Sequence, residues 1–177
     1  NIECTAIGSD ANSALDSNPR KIADTDFIFI TAADYPLENH YLTAKSNGLI
    51  QAPIIIMWLE PFVFAAHALV VNKPQDIMSD YFNAELSFYK PIVANAQSLF
   101  QRDAGCRSTY MPYSGLDVQS FLLDFLRDWQ KGMMGNSDAN YHFVWFGRLS
   151  DAENLGARLS PGVDISQEYT HYFERID

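Results

Sequence analysis

The sequence predicts a single α/β domain, residues 1–177, whose strands and helices close into a β/α barrel. Three observations lead there. Apolar residues make up 47% of the 177-residue chain and charged residues 19%, a globular balance with enough length for one sizeable core. Short β-branched and aromatic runs alternate with helical patterns, which is how parallel sheets are written. No Gly-rich phosphate loop follows any of those runs, so a doubly wound nucleotide fold has little to support it and the barrel is preferred.

The clearest unit lies between Asp26 and Leu59. Phe27-Ile28-Phe29-Ile30-Thr31 reads as a buried strand, and Leu37 to Asn47 as a helix stopped by Gly48. Pro53 then opens a second buried strand, Ile54 to Leu59. Strand, helix, strand over so short a span is a βαβ unit with parallel strands. Phe62 to Val71 is apolar throughout, and its period does not separate strand from buried helix. Asp76 to Tyr89 has helical spacing, and Pro91 is read as the start of another helix carrying Ile92, Val93, Ala96, Leu99 and Phe100. Leu116 to Gln119 is read as a strand end. Ser120 then caps a helix with Phe121, Leu122, Phe125, Leu126 and Trp129 on one face. Tyr141 to Phe146 is the last clear strand, and the polar tail from Leu149 carries no assignable pattern.

A formal charge of −10 with only 12 basic residues, none clustered, excludes nucleic acid as a partner and disfavours an anionic membrane surface. The longest apolar run, Ala52 to Leu59, is too short for membrane insertion. The chain begins at Asn1 rather than Met, which leaves open a removed signal peptide, a removed tag or unseen residues. Cys4 and Cys106 allow one disulfide or two free thiols, and neither has a CxxC partner. His40, His67, His142 and His171 lack metal-ligand spacing, so no metal and no cofactor is implied. His67 and His142 sit in apolar stretches and read as buried, hydrogen-bonded histidines.

Active sites of α/β folds gather at the carboxyl ends of strands. Asp10, Asp34, Glu60 and Asp117 each follow a strand in this reading and together would form an acidic rim. A glycosidase needs two carboxyl groups about 5–9.5 Å apart, one of them a proton donor. Among 22 acidic residues several fall at strand ends by chance, where they cap helices or face water. Trp58 and Trp145 lie in apolar strands, a core position more often than a sugar platform. Tyr35, Tyr110 and Tyr113 lie in loops and are better placed to stack on a ring.

Several segments, in order, resemble the family 25 glycoside hydrolases, the Chalaropsis-type lysozymes. Ile7 to Ser13 is similar to the family's opening strand with its catalytic aspartate, here Asp10. Asp26 to Ala32 is similar to its second strand, and Asn39 to Leu49 to the helix that follows. Pro74 to Phe82 and Phe121 to Trp129 resemble later segments, and Leu116-Asp117-Val118-Gln119 stands in place of the L-D-x-E signature. The resemblance implies a modified, TIM-like barrel that cleaves peptidoglycan between N-acetylmuramic acid and N-acetylglucosamine, outside the cell or at its envelope. Its site would comprise Asp10, Asp117, Gln119 and Glu60. Asp34, Tyr35, Trp58, Tyr113, Trp145 and Asp164 would contact an amino-sugar polymer. The signature glutamate is Gln119 here, and an amide cannot protonate a leaving alkoxide, a loss of ~10²–10⁴-fold. Three explanations stay open: impaired catalysis, transfer of the acid role to Glu60, or an engineered residue. A module that binds glycan, or serves a cell-envelope or virion assembly without cleaving, is the alternative.

Overall fold

In a computed structural model, described at residues 10–17, 19–74, 81–82, 88, 90–102, 109–133 and 139–176, one five-stranded sheet organises the chain. Helices α1 (Ala11–Ser17) and α2 (Pro19–Ala23) precede β1 (Ile28–Ile30), α3 (Tyr35–Ser46), β2 (Ile54–Leu59) and β3 (Ala65–Val71). A small ribbon of β4 (Gln101–Arg102) and β5 (Thr109–Tyr110) leads to α4 (Gly115–Asp128), and β6 (Asn140–Phe146) and β7 (His171–Ile176) complete the sheet. Its order is β1-β2-β3-β6-β7.

The βαβ unit is present: β1 and β2 pair in parallel, Ile28 opposite Ile54 through Ile30 opposite Ile56. The barrel is not. β2 is followed at once by a tight reversal, so β3 runs antiparallel to it, and β6 and β7 continue antiparallel. A β/α barrel needs a crossover helix between successive parallel strands. Here the apolar stretch after β2 forms a returning strand, and β1 and β7 end as the two edges of an open sheet.

Both faces of the sheet are covered, which explains why β2 and β3 read as unbroken apolar runs. On one face Ile54, Ile56, Leu69 and Val71 pack on Leu15 of α1 and on Tyr41, Leu42 and Ala44 of α3. On the other, Ala66 and Ala68 are small enough for α4 to seat Phe121, Phe125 and the adjoining Trp129 over the strands. A third cluster joins Phe64, Val144 and Phe146 to Ile92, Val93 and Leu149.

Three local expectations are corrected. Leu116 to Gln119 is the first turn of α4, capped by Ser114 rather than Ser120, because the buried stripe Asp117, Phe121, Phe125 has helical spacing throughout. The segment after Pro91 is extended, with only a short 3₁₀ turn at Ala96–Leu99. It pairs with 158–160 through Ala94 N–H to the Arg158 carbonyl (2.7 Å) and Ser160 N–H to the Ile92 carbonyl (2.8 Å). The tail holds β7, an edge strand whose alternating half-buried and exposed residues hid its apolar face. The opening strand at Ala6–Gly8, both cysteines and most of the Asp76–Tyr89 helix lie outside the described residues. Among the described residues no helix is long and apolar enough to cross a membrane.

The reversal after β2 is strained. Phe62 and Val63 both have positive φ, 56° and 57°, in the left-handed region that a β-branched residue strongly disfavours. The surroundings impose it: Phe62 N–H donates to the Pro112 carbonyl (2.8 Å) and Gly147 N–H to the Phe64 carbonyl (2.9 Å). Gly147 is required by contact, since a Cβ there would sit 1.9 Å from the Val63 carbonyl oxygen. Gly147→Ala should therefore cost about 1–3 kcal/mol, the range for overpacking, read as a lower midpoint in urea at unchanged slope.

Candidate functional site

Glu60 is the residue that this strained turn positions. It ends β2 in extended conformation, φ −89° and ψ 162°, and its side chain is almost wholly buried. Its carboxyl group gathers three donors from distant parts of the chain. Oε1 accepts from Ile92 N–H (2.8 Å) and lies 2.9 Å from His67 Nε2, while Oε2 accepts from Val93 N–H (2.7 Å). A helix starting at Pro91 would leave those two first-turn amides without an intrahelical acceptor. The carboxyl group takes them and fixes the 91–95 segment beside the sheet.

The contact chain continues inward. His67 Nδ1 lies 3.1 Å from His142 Nε2, one strand further into the sheet. With Glu60 as a carboxylate and one proton on each ring the chain has one consistent assignment: His67 Nε2–H donates to Glu60, and His142 Nε2–H donates to His67 Nδ1. His142 Nδ1 then keeps a bare lone pair, and this buried atom has no hydrogen-bond partner. Burial, with the nearby His67 and Lys90 adding repulsion, pushes the His142 pKa down to about 3, so the ring stays neutral in the fold. Trp58 lies flat over both imidazoles, 4.7 Å from His67 and 5.9 Å from His142 between ring centroids.

Beside Glu60 opens a cleft of about 620 Å³. Trp58, Phe82, Phe88, Phe100 and Met111 supply apolar wall, and Asn95, Gln97 and Ser98 supply polar edge. Asn95 is committed to structure: its amide donates to the Gly156 carbonyl (2.9 Å) and its oxygen accepts from Arg158 N–H (2.7 Å). Gln97 and Phe100 are exposed, Phe100 at 45%. A second, more apolar cleft of about 570 Å³ lies on the α4 side, and Trp58, Leu59 and Met111 line both.

The acidic rim expected from the sequence is dispersed. Asp10 is exposed and caps α1 through Ser13 N–H (3.0 Å), and its bonds to Ser13 hold its carboxyl below the usual range, the opposite of a proton donor. Asp34 caps α3 through Leu37 N–H (3.0 Å), and Tyr35 packs half-buried beside the α1/α3 core. Asp117 is buried in the first turn of α4 and lines a separate cleft of about 230 Å³ with Tyr113, Arg148 and Asp151. Gln119 is exposed on α4 and lines none of these clefts. Trp145 is core at 1% exposure, its indole N–H donating to Asp124 (3.1 Å). Asp164 caps the turn Ile165–Gln167, where bonds from Ser166 keep its pKa low. Of the site residues expected from sequence, Glu60 and Trp58 share the large cleft, and Tyr113 joins Trp58 in the apolar one.

Sequence reasoning missed the Glu60–His67–His142 chain as a unit. The signal was present: three polar residues, each alone in an apolar strand or at its end. Which faces they shared depended on β3 being antiparallel, which periodicity left open. Among the described residues no group of three or more His, Cys, Asp or Glu side chains is arranged to hold a metal ion. No family model matches the chain, and a search of curated proteins finds no significant match.

Proposed function

We propose that this domain is a glycan-binding module that holds an amino-sugar chain in the cleft beside Glu60 without cleaving it. One observation carries the reading: the cleft's lining combines aromatic wall, Trp58 and the exposed Phe100, with polar side chains, Gln97 and the Glu60 carboxyl group. A pyranose ring offers an apolar face for the first and hydroxyl donors for the second. An acetamido group adds a methyl for the wall and an N–H for the carboxyl group, which favours amino sugars such as those of peptidoglycan.

Hydrolysis lacks such support. Among the described residues Glu60 is the cleft's only carboxyl group, and each of its oxygens already holds backbone. Among the described residues, the cleft thus offers one carboxyl group where a glycosidase uses two.

Calorimetry with tri-N-acetylchitotriose and soluble peptidoglycan fragments tests the proposal. Saturable binding at millimolar or lower ligand is expected, with no new reducing ends on long incubation. Phe100→Ala should weaken it about tenfold, the value of one aromatic stacking contact, and Gln119→Glu should leave it unchanged. Absence of binding at millimolar ligand by the folded protein would contradict the reading.

A further inference from the structure

The cleft beside Glu60 does not end at the sheet. β1 stops at Ile30, opposite Ile56, whereas β2 runs on to Leu59. Among the described residues no strand therefore neighbours Met57, Trp58 and Leu59 on that side, and this stretch of β2 is an edge of the described sheet. Successive side chains of a strand point to opposite faces. Trp58 lies with His67 on the face of the Glu60 cleft, while Met57 packs with Phe121 on the α4 face. The apolar cleft on the α4 side and the cleft beside Glu60 have Trp58, Leu59 and Met111 in common.

The two spaces differ in chemistry. The walls of the second are mostly Met57, Leu59, Met111, Val118, Phe121 and Leu122, and among the described residues its polar side-chain atoms are those of Thr31, Tyr113 and the Trp58 indole. A second sugar ring there would leave several hydroxyl groups without partners, each at a desolvation cost. An alkyl or aryl group has nothing to leave unpaired and gains from every methylene covered.

We propose that the natural ligand is a glycoside with an apolar aglycone: the sugar rests against Glu60 and Phe100, and the aglycone passes over that β2 edge into the α4-side cleft. This rests on the glycan reading above and specifies its ligand class. The α4-side cleft sets specificity, and Val118 and Leu122 are the residues that admit the aglycone.

Methyl and hexyl N-acetyl-β-glucosaminide, both below any micellar concentration, separate the two claims. Each methylene buried strengthens binding about fourfold, so the hexyl compound should bind the full chain at least about tenfold more tightly than the methyl one. Val118→Trp, which fills the apolar cleft, and Leu122→Gln, which makes it polar, should each abolish that preference. Affinity for the methyl compound should stay unchanged, which also reports that each variant is folded. Equal affinity of the wild type for both glycosides would overturn the aglycone assignment and leave glycan binding standing. A preference that survives both variants would overturn it too. Binding of neither glycoside would remove both readings.

Discussion

Glu60→Ala should destabilise the domain by about 3–5 kcal/mol, and no other single truncation at the site should cost as much. The estimate follows from what the carboxyl group holds. Removing it leaves the amides of Ile92 and Val93 and the His67 Nε2 proton buried without an acceptor. Each stranded donor costs roughly 1–3 kcal/mol, with some relief as water enters the cleft. Glu60→Gln keeps the shape and one oxygen but turns an NH₂ towards a backbone donor, so it should fall between alanine and wild type. Urea unfolding of the three proteins measures this directly. In the alanine variant the amides of Ile92 and Val93 should also lose hydrogen-exchange protection well before the α4 face of the sheet does. A Glu60→Ala protein within about 1 kcal/mol of wild type would mean that the 91–95 segment is held by its pairing with 158–160 alone.

The second large effect is on acid stability. His142 is neutral in the folded protein down to about pH 3, whereas the unfolded chain takes up a proton there below about 6.5. Between those limits the unfolded state binds more protons, so stability rises with pH and is lost as pH falls. One such group contributes a slope approaching 1.4 kcal/mol per pH unit in the middle of that window. Groups near the ring on the sheet face are His67, Lys90, Tyr81 and, opposite it on β7, Glu174. His142→Gln retains an amide donor for His67 Nδ1 and cannot titrate. Its stability curve should be flatter than the wild-type curve from pH 6.5 to 4 and parallel to it above 7. Parallel curves across the whole range would show that the ring is protonated in the fold at ordinary acid pH.

How far the sequence carries depends on which physical signal each element used. The β1-α3-β2 unit was legible because β-branched runs, a proline near the helix start and Gly48 after its end all agree. Gly48 adopts φ 76°, a conformation that few other residues enter without strain. The topology beyond β2 was not legible, because it turns on Phe62 and Val63 taking a backbone conformation their side chains disfavour. Tertiary contacts from Pro112 and Gly147 join the turn's own hydrogen bonds in holding it. Asp10, Asp34 and Asp117 each sit in the first turn or cap of a helix, Asp34 at the same time following β1. Acids at strand ends and acids at helix starts look alike in sequence, since one element follows the other. Glu60 survived as a cleft residue because it does end a strand. Two further buried ionisable side chains were not read from the sequence as buried polar groups. Lys45 donates to the Gln51 and Ala52 carbonyls (3.2 and 2.7 Å), and Glu38 lies buried in the first turn of α3, its pKa raised by desolvation.

The central claim is that a sugar chain sits against Glu60 and the 91–100 segment, and amide chemical shifts during a titration locate it most directly. On adding tri-N-acetylchitotriose to the ¹⁵N-labelled protein, the amides of Ile92 and Val93, which report on the Glu60 carboxyl group, should shift in step with those of Gln97 and Phe100 and saturate with one affinity. The exposed face of α4, around Gln119 and Leu123, should stay still. Saturation with shifts confined to other surfaces, or no shift anywhere at millimolar ligand, would contradict the assignment of this cleft.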